Sequence, residues 1–544
     1  MKTIYKSFLG LAVASLFTIS FTGCIEETEP TDVATEKQIA ESSSASKALL
    51  MAMPAYFNKL WDEDLHYSFG YGAMIHIREI MTGDYANNMT SYNHWRRWQC
   101  GEYLGDNWIY GQFIWNYYWG FVQTANNMVG GVDPENATEE QLGYLGCGLA
   151  YRAMLYLDLA RLYEFLPNDK LSSVNKNGND VKGLTVPIVY AGMNEDSARV
   201  NPRVTREVMA KFIEDDLTAA EGYIVNLEDN AGKVLPDLSC VYGLKARLYM
   251  WLEDYPNAQK YARLAIDNAT VDPMTEEECL NTTTGFNVTD PWMWGAQQTT
   301  EDDVVQTGII NWTSWSSNEA TFSYYGYGTG LFSEIDRSMY ERISDTDFRK
   351  LEFKAPEGSS LASQVRFVND KQRTFDDESD WYMPAYTILK FRPGQGNADD
   401  YMTGAATAYP IMRVEEMYFI EAEAAAHQNA SKGVELVNSF MQNYRDPNYK
   451  CTVTSTDDVV EEIVFQKRVE LIGEGLNFFD IKRLNYSVTR GYTGTNHYEL
   501  CRLNTNGRPA WMNFVIVQTE GNNNSAVKEW NNPDPSDLYT PWVE

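Results

Sequence analysis

The stretch CVYGLKARLYMWLEDYPNAQKYARLAIDN, residues 240–268, decides the fold. Its apolar residues recur at helical spacing on both sides of Asp254-Tyr255-Pro256, so it reads as two helices joined at that break. Ala246 lies on the first helix and Ala258, Ala262 and Ala265 lie on the second. Small residues at that spacing let antiparallel helices approach closely.

Outward from this pair the plan repeats. Residues 412–444, MRVEEMYFIEAEAAAHQNASKGVELVNSFMQNY, form a helix ending near His427, a polar break, and a second helix carrying Val434, Val437 and Met441. Residues 140–167 place Leu142, Leu145, Leu149, Met154, Leu155 and Leu159 near one stripe, closed by Pro167. Residues 201–224 make another amphipathic helix, with a start signal at Thr205 and Glu207. The expected class is all-α, built of tetratricopeptide-like helix pairs that stack to bury a continuous core, with long irregular loop insertions.

The chain has 544 residues, 44% of them hydrophobic, which is ample for a large core. Its formal charge of -32 excludes nucleic acid as a partner, because phosphate binding depends on clustered Lys and Arg. At the N-terminus, Lys2 and Lys6 precede an apolar run from Leu9 to Phe21, the layout of a secretory signal and too short to span a bilayer. It ends in Gly23-Cys24, which resembles a bacterial lipobox, so Cys24 is the expected site of lipidation. Acyl chains there would hold the protein to a membrane. The expected organisation is a signal peptide over 1–23, an acidic tether over 24–45, and a single unit over 46–544. That unit divides into a helical part (46–270), a loop-rich, ligand-facing insertion (271–408) and a C-terminal signature region (409–544). The remaining six cysteines are scattered without CxxC pairs; an exported chain could form a disulfide, but no framework is visible.

Residues 91–113 and the insertion crowd large rings among Gly, Asn, Thr and Ser. Long loops in a compact protein tend to be functional. A sugar offers C–H groups on its flat face and hydroxyls at its edge, so it is recognised by aromatic faces flanked by polar side chains. The candidate binding residues are therefore Asp84, Asn87, Asn88, Tyr92, Trp95, Trp98, Trp292, Trp294, Trp312, Trp315, Tyr324 and Tyr325, with Asn318 nearby. Trp95, Trp98, Trp315 and Tyr325 are expected in exposed loops, whereas Trp115, Tyr118 and Trp119 follow a helical pattern and are expected to pack.

A second stretch, VVEEIVFQKRVELIGEGLNFFDIKR (459–483), resembles the late signature of the SusD/RagB family of surface nutrient-binding lipoproteins. Arg468, Glu470, Glu474-Gly475, Phe479-Asp480 and Lys482-Arg483 carry the likeness, and Arg468, Glu470 and Asp480 are expected to form buried or half-buried ion pairs. Further matches run in family order: Trp115, Tyr118 and Asn126-Asn127; Tyr151-Arg152-Ala153; Arg203-Val204-Thr205; Lys245-Ala246-Arg247; Asp347-Phe348-Arg349; and Arg413 through Glu421-Ala422-Glu423-Ala424. Departures are Lys467, where glutamate is commoner, Asn477, where arginine is commoner, and Val517, where proline is usual. The resemblance implies a lipid-anchored protein at the outer-membrane surface that captures a glycan and delivers it to a SusC-type TonB-dependent transporter without breaking a bond. Peptide, as for RagB-like members, is the alternative ligand.

A third reading, a glycan-cleaving enzyme, rests on Glu415, Glu416, Glu421 and Glu423, since glycosidases use paired carboxyls. Family position makes these a helix motif facing arginines. The five histidines include no i, i+4 pair, and no P-loop, G-x-S-x-G or dinucleotide fingerprint occurs, so neither cofactor nor metal is expected. The acidic run 376–381 reads as a solvated turn rather than a calcium loop.

Overall fold

The computed structural model describes residues 43–61, 65–88, 92–283, 285–368 and 382–544. The signal peptide, the lipidation site Cys24, most of the tether and the acidic run 376–381 lie outside the described residues. The end of the expected tether is already helical, because the first described helix spans Ser43–Phe57.

The deciding stretch forms the helices Leu238–Leu252 and Tyr255–Asn268. Asp237 caps the first by accepting from the Cys240 amide, and Asp254 caps the second by accepting from the Asn257 amide. Glu253 between them takes a left-handed φ of 60°, which turns the chain within two residues. Ala246, Ala258, Ala262 and Ala265 are all fully buried, so the close approach read from their spacing is present. The pair Val414–Gln428 and Ala430–Tyr444 turns even more tightly, through Asn429 alone. There a Cβ on Gly433 would sit 2.4 Å from Ala426 Cβ, so glycine is what the crossing admits.

These pairs belong to a serial stack. Ile109–Gly130 packs on Glu139–Tyr163, which packs on Arg206–Tyr223, then Leu238–Leu252, Tyr255–Asn268, Val414–Gln428 and finally both Ala430–Tyr444 and Thr456–Glu470. The fold is thus mostly helical, as expected. One detail differs: Glu139–Tyr163, held at its start by a Thr138–Gln141 capping box, is buried almost all round rather than along a stripe. It lies inside the stack, where Gly143 and Gly146 press on the backbone at Asn226 and Ile224.

Two antiparallel ribbons splice the loops to this body. Strand β1 (Tyr85–Asn87) pairs with β3 (Ser333–Ile335), and β2 (Trp294–Gln297) pairs with β4 (Ala408–Met412). The main hydrophobic core runs from Leu50 to Val527 and takes in rings from the insertion as well as from the helices. Among the described residues no helix is long and apolar enough to cross a membrane.

The signature stretch forms the helices Thr456–Glu470 and Asn477–Arg483 around buried charge. Glu470 accepts from Arg413 and Arg445 at 2.7 Å and from Arg349 at 3.2 Å. Burial alone would raise its pKa, but the guanidiniums of Arg445 and Arg413 hold it well below the usual carboxylate range. Asp480 lies 2.7 Å from Lys467 and 2.9 Å from Arg483; against its burial, those cations bring its pKa down to about 2. Arg468 pairs with Asp84. The expected ion pairs are all formed, and two of the three departures fit them: Lys467 supplies a cation to Asp480, and Asn477 donates to Asp84 at 3.3 Å.

Candidate ligand-binding site

The β1–β3 ribbon brings two ring-bearing loops together. Asn88, just past β1, donates to Gly330 O at 3.2 Å and accepts from the Phe332 amide at 2.9 Å, which ties the end of β1 to residues 330–332. The short helix Trp312–Ser316, capped by Asn311, holds Trp315. The amides of Tyr324 and Tyr325 both donate to Ser314 O, at 2.9 and 3.0 Å, folding the following loop back over that helix. Gly326 makes this possible: with φ 67°, its Cβ position would fall 1.9 Å from Asn318 O.

The result corrects most of the exposed rings expected from the sequence. Trp95, Trp98, Trp315 and Tyr325 are buried, and so are Trp292, Trp294 and Trp312. Trp95 meets Trp315 edge-on at 5.3 Å and His76 at 4.5 Å; Trp98 is held between Tyr67 and Tyr110. Tyr325 Oη lies 3.1 Å from His76 Nε2. Trp294 packs on Tyr151 and donates its indole N–H to Val234 O, Trp312 packs on Phe391 and Tyr409, and Trp292 packs on Phe286. These rings are the floor of the loops, because loops that fold over a helix bury whichever rings lie beneath them. Three polar candidates are likewise structural: Asp84 pairs with Arg468, Asn87 donates to Phe332 O, and Asn318 bonds to Ser333 and Ile388 O.

What remains open is a smaller shelf. Tyr324, half-buried, stacks on Trp315 with centroids 4.8 Å apart and planes 26° apart. Beside it lie His66 and His94, whose own rings are 3.8 Å apart; His66 is 4.4 Å and His94 5.3 Å from Tyr324. Tyr92, 63% exposed, stands at the rim, 6.5 Å from Tyr324. Its φ of 58° is a backbone conformation that a bulky residue adopts only under constraint. Burial lowers the His66 pKa, and burial together with His66 brings that of His94 to about 4. At neutral pH both imidazoles are therefore uncharged. His66 Nδ1 and His94 Nε2 have no hydrogen-bond partner among the described residues. The rings of Tyr92, Tyr324, His66 and His94 thus cluster in one place, which suits a ligand with a flat apolar face.

Sequence reasoning named Tyr92, Tyr324, Trp315 and Asn88 here but missed His66 and His94. They stand 28 residues apart on separate loops, and no spacing rule joins them. A second exposed pair, Tyr103 and Trp108, sits 4.4 Å apart, with the Arg97 guanidinium over the Tyr103 ring.

The carboxylates that suggested catalysis are all engaged. Glu415 pairs with Arg413 and Arg445, Glu416 with Arg247, Glu421 with Arg263 and Glu423 with Arg483. They are held by cations inside the helix stack, away from the shelf. Among the described residues, no group of three or more His, Cys, Asp or Glu could hold a metal ion. Open clefts of about 280 and 290 Å³ lie elsewhere, beside Trp119 and Glu520 and beside Gln123 and Tyr190.

Residues 316–536 match the model of the SusD family. The fold is shared with many solved structures. A SusD-like carbohydrate binding protein from Bacteroides vulgatus superposes with a TM-score of 0.68 at 20% identity, over 91% of this chain and 98% of the other. A SusD superfamily protein from Bacteroides thetaiotaomicron gives 0.65 at 18% identity, over 89% and 98%. A laminarin binding SusD-like protein gives 0.61 at 14% identity, over 90% and 99%. No curated protein matches the sequence.

Proposed function

Since the chain belongs to the SusD/RagB family, we propose that it is a non-catalytic glycan-binding lipoprotein of the cell surface, anchored through Cys24 in the outer membrane. It captures oligo- or polysaccharide and passes it to a SusC-type TonB-dependent transporter. The observation that carries the ligand reading is the shelf of Tyr92, Tyr324, His66 and His94 seated on buried Trp315. Its faces stack on a sugar ring. The solved neighbours described as carbohydrate binding and laminarin binding support the same class of ligand.

The test is an array of oligosaccharides and peptides probed with the soluble form that starts after Cys24, followed by titration of the best ligand. Tyr92→Ala and Tyr324→Ala should each weaken glycan binding by about 1–3 kcal/mol, the range for a planar ligand stacked on an aromatic face. Trp108→Ala should leave it unchanged. Full affinity in both tyrosine variants, or selective capture of peptides, would overturn the reading.

A further inference from the structure

Cys100 and Cys501 lie far apart in the chain, with a sequence separation of 401, yet their sulfurs are 3.1 Å apart. That is closer than two sulfurs in ordinary contact and farther than a bond. Both are secluded: Cys100 is 8% exposed and Cys501 is 1% exposed. The other described cysteines are placed differently. Cys147 and Cys240, for example, contact the backbone carbonyls of Pro236 and Met293 through sulfur, whereas Cys100 reaches Leu500 O at 3.6 Å and the Cys501 sulfur as well.

We propose that Cys100 and Cys501 close into a disulfide when the chain meets an oxidising environment, and that this bond is a staple between the loop under the aromatic shelf and the C-terminal segment. The prediction of where it forms rests on the surface location proposed above; the pairing itself rests on geometry.

Cys100 follows the short helix Arg96–Gln99, which carries Trp98 and starts just after Trp95. Cys501 ends the turn Glu499–Cys501. Arg490 already bridges the two regions: its guanidinium donates to the carbonyls of Gln99, Thr82 and Ile80 and lies over the Trp511 ring. The two backbones are therefore held in place before any bond forms, so closing it needs only that the sulfurs move together.

The chemistry is set up unevenly. The Cys501 thiol beside it lowers the Cys100 pKa, burial opposes that, and Arg490 adds to it. Cys501 is shifted the other way, by the same hydrogen bond and by burial. Cys100, the more open of the two, is then the sulfur that attacks. Its thiolate displaces one thiol from a small disulfide such as oxidised glutathione, forming a mixed disulfide. The Cys501 thiol loses its proton and attacks Cys100 Sγ, releasing the second thiol. One S–S bond forms within the chain, one breaks in the oxidant, and the two electrons and two protons leave on the two released thiols.

The full chain is extracted from cells in denaturant with N-ethylmaleimide, digested without reductant and read by mass spectrometry. A parallel sample of purified, reduced chain is exposed to oxidised glutathione while folded. The expected result in both is a single cross-linked species joining the Cys100 and Cys501 peptides, split by dithiothreitol, with Cys147, Cys240, Cys279 and Cys451 carrying maleimide. In Cys100→Ser and Cys501→Ser the species disappears, along with the higher Tm of oxidised over reduced wild type. Free thiols or glutathione adducts at both positions after exposure to glutathione would overturn the pairing. Maleimide on both sulfurs of the extracted chain, with glutathione still closing the pair in the purified one, would instead sink the surface location and leave the pairing standing.

Discussion

Tyr92 and Trp95 are three residues apart and do opposite things. Tyr92 projects into solvent on a strained backbone, while Trp95 is fully enclosed by His76, Phe69, Trp98 and Trp315. Trp95→Ala should therefore cost about 3–5 kcal/mol of stability through lost burial and a cavity. Tyr92→Ala should leave stability within about 0.5 kcal/mol, as surface changes do. Urea unfolding of the two variants checks this, and equal losses would contradict the burial described. The histidines add a pH dependence. His94 ionises near 4 in the folded chain and near 6.5 when unfolded, so below about pH 6.5 the unfolded chain takes up a proton that the folded chain refuses. Stability contributed by neutral His94 is complete above that pH and declines as pH falls toward 4; His94→Gln should flatten the slope of unfolding free energy in this window. The sequence displayed the rings and polar residues of this site but not their division into floor and face. Residues in irregular loops carry no periodicity, so only the structure folded over them decides which ring is covered.

At the scale of elements the sequence was far more legible, because helix pairing follows from spacing and small residues. The alanines of Tyr255–Asn268 and Gly433 of Ala430–Tyr444 mark where helices touch. Gly433→Ala would push against Ala426 inside a closed crossing, so overpacking should lower stability by about 1–3 kcal/mol, measured by calorimetry or denaturant. Asp480→Ala makes a sharper test of the signature helices. It strands Lys467 in a buried setting, where losing one partner costs about 3–5 kcal/mol, and leaves Arg483 with Glu423 alone. Glycan affinity of the folded fraction should not change, since this charge lies in the helix stack; lost binding with unchanged stability would refute that placement. The periodic pattern of Glu139–Tyr163 underestimated its burial for a related reason. Periodicity shows the strongest apolar face, whereas a helix inside a stack is covered on its polar side too.

On the scale of the whole molecule, the proposed anchor at Cys24 would hold a chain whose formal charge is -32 at a membrane. Cys24→Ala should abolish acyl labelling and release the chain to the soluble fraction, as fractionation after metabolic labelling would show; unchanged labelling would remove the anchor from the account. The β1–β3 ribbon has a consequence for how such a molecule comes into being. Asn88 and Gly330, which it joins, are separated by 242 positions. Ribosomes deliver residues in order, so Trp95 and Trp98 leave the exit tunnel long before Trp315 and Ser333 exist to cover them. For all that interval these indoles have only their neighbours in sequence, such as Tyr67, His76 and Tyr110, and lack the cover of Trp315, leaving apolar surface of the kind that holdase chaperones bind. The proposed binding face is consequently completed only once residues 312–335 have been made, although its first rings are made early.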